Sequence, residues 1–202
     1  MLPYRQKEEI AMQPTSVQKI AGVLNNLVII AFICNLIALP LVPGFVYFRA
    51  GGPEAMTFSQ FQALYHYESH EAIGNLFAIY LRDVWQQPYT AVLTLFLLFS
   101  GACTAIILLQ ALLVLESILK GSPFCDKNAH ALRRAAVCGF LISAAALVRV
   151  VFSLFYYRSL QPLTTYNALF VPIFAMFGLL CLVMSALFRQ AAELKAENDL
   201  TI

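Results

Sequence analysis

Two histidines of this chain, His66 and His70, are four residues apart. On a helix that spacing turns both imidazoles the same way, which is how zinc-binding helices present a pair of ligands. The glutamate that follows the first histidine in a zinc-hydrolase motif is absent, Glu68 and Glu71 are only near, and no third ligand is evident. The pair is a weak metal candidate, and a solvated or pH-responsive helix face is the competing reading. Arg149 is the one charge within an otherwise apolar stretch from Ala135 to Tyr157. In lipid such a cation costs at least about 2.5 kcal/mol unless it is paired or reaches water. It either lines a pocket, with Asn35, Glu68 or Glu71 as partners, or snorkels toward the headgroups near Arg158. A pocket built on it would take an anion such as a lipid headgroup, a carboxylate or a peptide terminus. Cys34, Cys103, Cys138 and Cys181 fall in apolar runs and Cys125 in a loop, with no C-x-x-C, which argues against thiol-oxidising chemistry. There is no Ser/His/Asp arrangement, no H-E-x-x-H and no phosphate-cradling glycine loop. The residues therefore read as those of a protein that is not an enzyme and needs no cofactor.

The elements that must position these residues are set by composition. The chain has 202 residues, of which 60% are hydrophobic and only 12% charged, with a mean hydropathy of +0.74. Soluble domains carry roughly twice that share of charge, so lipid must cover much of the surface. Ile20 to Phe48, Val84 to Leu115 and Ser159 to Phe188 are free of charge, and Ala135 to Tyr157 is broken only by Arg149. The runs are continuously apolar and do not alternate, which favours helices over a β-barrel. The expected fold is all-α, a four-helix transmembrane bundle forming a single integral membrane domain. Its spans are expected at about residues 20–48, 88–118, 135–157 and 165–188, and the first should be retained, being far longer than the apolar core of a cleaved signal.

Orientation follows from lysine and arginine. Nine lie in the N-terminal segment, the loop 119–134 and the tail 189–202, against Arg49, Arg82 and Arg158 on the other side. Both termini are thus expected in the cytoplasm. Eight of the nine tyrosines, with Trp85, fall on the opposite side as an aromatic belt. The outer segment, residues 49–87, is too long for a structureless connection. Thr57 to Gln60 has the form of a capping box, and Phe58, Phe61, Tyr65, Ala72, Leu76 and Tyr80 recur at helical spacing. An amphipathic helix over the outer mouth is expected there.

On the cytoplasmic side, Gly121 and Pro123 should end the second helix, Asp126 should cap the next, and Leu200 and Ile202 alternate as a strand would. Such an end suits a partner's sheet edge, with a frayed tail as the alternative. The run Gly121-Ser122-Pro123-Phe124, with Asn128 and Leu132-Arg133-Arg134, joined to the terminal Asp199-Leu200-Thr201-Ile202, resembles the bacterial four-span family catalogued as domain of unknown function 2975. The resemblance implies a multi-pass protein of the bacterial plasma membrane, and partners of the small helix-turn-helix regulator type. The leading expectation is a sensor or regulatory protein. It would couple an outer or intramembrane stimulus to a cytoplasmic partner through Gly121, Pro123, Phe124, Asn128, Arg133, Arg134, Asp199 and Leu200. Arg133 and Arg134 would also anchor to anionic membrane lipid. The rivals are a binder or transporter of a lipid or small anion between the spans, and a structural subunit of a membrane complex. A homo-oligomer is compatible with each. The net charge of +2 gives no case for direct nucleic-acid binding, so a DNA-binding regulator would be a partner only.

Overall fold

The computed structural model describes residues 16–49, 84–121, 124–164 and 166–200. Four long helices run through them: α1 (Ser16–Arg49), α2 (Pro88–Leu119), α3 (Asp126–Tyr157) and α4 (Tyr166–Leu200). All four are long and apolar enough to cross a membrane, and the protein is a multi-pass membrane protein of the all-α class. At 32 residues, α2 and α3 are about 48 Å long against a hydrocarbon core of about 30 Å, so their ends extend beyond it. The amphipathic helix expected within residues 49–87, with His66, His70, Glu68 and Glu71, lies outside the described residues, as does Pro123. Between α1 and α2 a short helical turn, Val84–Gln86, is described.

Local chemistry fixes the helix ends. Gln87 is extended and Pro88 occupies the first turn of α2, where a missing N–H costs nothing. At the other end Gly121 takes φ +75° and its N–H donates to the Ile118 carbonyl at 3.0 Å, which closes the helix as expected. The start of α3 differs from expectation. Extended Cys125 is the capping position and makes no side-chain cap bond, while Asp126 is already inside the first turn. From there its carboxylate complements the helix dipole and lies 3.3 Å from His130 Nε2. Helix α4 continues to Leu200, as the strong helix formers Ala191-Ala192-Glu193-Leu194-Lys195-Ala196-Glu197 favour, and Ile202, on which the strand-like alternation depends, lies outside the described residues.

Facing residues show that successive helices are antiparallel. Leu39 of α1 lies against Gly101 of α2, and Gly22 against Leu119. Phe96 and Ser117 of α2 meet Arg149 and Asn128 of α3. Ser143 Oγ of α3 donates to the Val171 carbonyl of α4 at 2.8 Å, and Ser185 Oγ of α4 to the Ala129 carbonyl at 2.7 Å. Each long helix packs on its neighbour in the chain, most extensively α3 on α4. Helix α3 is the most buried of the four, with 44% of its most apolar stretch covered against 22% for α2, 11% for α4 and 6% for α1. Its core face is small: Ala135, Ala136, Cys138, Ile142 and Ala146 are buried. Gly139 and Gly178 bring α3 and α4 together so closely that an added Cβ on Gly139 would stand 2.9 Å from the Phe177 ring. Small residues serve the same purpose wherever helices associate in lipid.

The array therefore has two ends. The basic end holds the start of α1, the α2–α3 connection and the finish of α4. The tyrosine end holds Tyr89, Tyr156, Tyr157 and Tyr166.

Candidate functional site

At the basic end the structure brings most of the expected inner-face residues together around the start of α3. The Phe124 ring, half-exposed, packs 5.7 Å from that of Phe188 and ties the α2–α3 connection to α4. Asn128 is 2% exposed, and its amide donates to the Ser117 hydroxyl, which in turn donates to the Val114 carbonyl at 2.8 Å. A polar side chain this buried belongs to the fold, where it locks α3 onto α2. Arg133 and Arg134 are exposed and, as successive residues of a helix, project about 100° apart around α3.

Each arginine reaches a different cleft. A cleft of about 970 Å³ between α2 and α3 is lined by Gln110, Ser117, Lys120, Asp126, Lys127 and Arg134. A second, of about 570 Å³, lies between α3 and α4 and is lined by Arg133, Ser185, Arg189 and Glu193. The two clefts flank the first turns of α3, and Asp126 and His130 line both. Charge on their walls is mixed and partly paired: Glu116 holds Lys120 at 2.5 Å, and Arg189 holds Glu193 at 3.0 Å. In the first cleft the Gln110 Oε1 oxygen is buried with no hydrogen-bond partner among the described residues. The walls thus offer donors, acceptors and charges of both signs. Asp199 and Leu200 sit on the last turn of α4 at this same end.

Sequence reading passed over the pairs Glu116–Lys120, Asp126–His130 and Arg189–Glu193. Their i, i+4 spacing was visible, and such spacing is the signal that would have found them.

At the tyrosine end the Arg149 guanidinium lies over the Phe96 ring, 4.8 Å from its centroid, beside Tyr89. Tyr89 stacks with Tyr156 at 6.0 Å and meets Tyr157 edge-on at 5.6 Å, and Phe152 stacks with Tyr156 at 5.8 Å. Arg149 is turned toward α2 and is not hydrogen-bonded to Asn35, whose Oδ1 is buried without a partner among the described residues.

No group of three or more metal-ligating side chains occurs among the described residues. A family model described as "Protein of unknown function (DUF2975)" matches residues 62–202. No curated protein and no solved structure matches the chain.

Proposed function

From the premise that the chain belongs to this family of unknown function, which spans α2, α3 and α4, we propose a regulatory role: its basic end is the docking face for a cytoplasmic protein. In this reading the basic end faces the cytoplasm of a bacterial cell, as the excess of lysine and arginine there favours. The observation that carries it is the pair of clefts on either side of the start of α3, with charged walls and Arg133 and Arg134 one to each. A partner that straddled α3 would place side chains in both clefts at once and cover the Phe124 ring, giving it an apolar anchor within a polar rim. A small helix-turn-helix regulator is the partner class favoured, held at the membrane and released when a stimulus shifts α3 against α2 or α4. No catalytic step is assigned to the protein.

The test is cross-linking and co-purification from native membranes with wild type and with the Phe124→Ala and Arg133→Glu/Arg134→Glu variants. Recovery of a DNA-binding protein with wild type, reduced about tenfold or more in both variants, is the expected result. Equal recovery from all three, or a stoichiometric lipid with no protein, would overturn it.

A further inference from the structure

We propose that Arg149 and Tyr89 form a binding site for the phosphate of one membrane phospholipid at the tyrosine end. Arg149 lies eight residues before the end of α3, and Phe96 eight residues after the start of α2. Both are therefore about 12 Å in from the ends of their helices. The guanidinium at that depth is permanently charged and makes no ion pair with any carboxylate of the described residues. Its central carbon stands 4.8 Å from the centroid of the Phe96 ring, and Tyr89 is its polar neighbour. A guanidinium has five N–H donors, so beyond the one toward Tyr89 enough remain to form a fork that fits two phosphate oxygens. A charge in lipid without a counter-ion is costly, and the nearest abundant anion is the phosphodiester of the surrounding leaflet.

The setting also directs the group toward that leaflet. Tyr89 stands beside the guanidinium, one residue into α2, and so marks a path from Arg149 to the helix end. Tyr156 and Tyr157 flank Tyr89 and are themselves about half exposed, placing hydroxyls and ring edges where headgroups and acyl chains meet. An arginine stem of about 6 Å brings the guanidinium to a phosphate drawn slightly inward, which is the local thinning that such residues impose. The bound species is thus a phospholipid with its phosphate on Arg149 and Tyr89 and its chains along the α2–α3 seam. This site is at the opposite end from the docking face and does not depend on it.

The full-length protein reconstituted in nanodiscs tests the assignment. One set of discs contains phosphatidylglycerol, and the other a phosphate-free glucosyl diacylglycerol. Wild type should unfold at a higher temperature in the phospholipid discs, and native mass spectrometry should find about one phospholipid retained per chain. Arg149→Gln should abolish both effects, and Tyr89→Phe should weaken retention several-fold. Arg149→Lys, which keeps the charge and loses the fork, should keep part of the stabilisation and shows whether loss in Arg149→Gln is misfolding. An equal phospholipid effect in wild type and Arg149→Gln would overturn the proposal. Restoration of stability in the glycolipid discs by inorganic phosphate would assign the site to free phosphate instead. No phospholipid effect in wild type, with one appearing in a Glu68→Gln/Glu71→Gln variant, would show that the counter-ion is the protein's own carboxylate and overturn the proposal.

Discussion

A valine at Gly139 would place its Cβ 2.9 Å from the Phe177 ring, which must shift, and already in contact with the backbone of Gly178 at 3.4 Å. Gly139→Val is expected to cost about 1 to 3 kcal/mol, read as a lower midpoint in a detergent unfolding titration. Gly178→Ala should cost less, because its new Cβ meets only the Phe140 ring at about 3.0 Å. Asn128→Ala removes a buried bond to Ser117 and should cost about 1 to 3 kcal/mol in the same assay, more than an exposed polar truncation would. The candidate residues were legible in the sequence by type and their surroundings were not. Arg149 announced itself as the lone charge of its stretch, yet its choice of Phe96 over Asn35 depends on the rotation of α3 against α2, which hydropathy does not encode. Asn128 was grouped with exposed arginines for a similar reason, since the face of α3 that is buried is set by contacts with two other helices.

Two helix ends adopt left-handed backbone, and they predict substitutions of opposite sign. Gly121 at φ +75° suits its position, so Gly121→Ala should destabilise by about 1 kcal/mol with the end of α2 fraying. Arg158 at φ +48° does not, and Arg158→Gly should stabilise by less than about 1 kcal/mol. Relief of the strain is offset in part by the freedom glycine gains in the unfolded chain. Thermal unfolding of both variants in micelles checks the pair. The existence and order of the four spans were readable because a run of apolar residues in lipid has no other way to satisfy its backbone. Helix ends were less so: Asp126 looks like a cap by residue type, but the backbone turns into the helix one residue earlier, and Leu200 looks like strand only if the helix formers before it are ignored.

Antiparallel packing of successive helices puts the start of α1 and the finish of α4 at one end, and the proposed function requires that end to face the cytoplasm. A single cysteine at position 124, in a chain whose own cysteines are replaced by alanine, should resist an impermeant maleimide in intact spheroplasts. One at the exposed position 160 should react. Reversed labelling would invert the orientation and remove the cytoplasmic docking face with it. The order of packing, each helix on the one before it in the chain, also bears on how the protein is made. Among the described helices each packs on the one before it, so α2 can meet α1 as it inserts, α3 can meet α2, and α4 comes last to close on α3 over the most extensive contact. A nascent chain arrested before α4 would leave the Gly139 face of α3 open in the bilayer, without the helix that covers it in the finished protein.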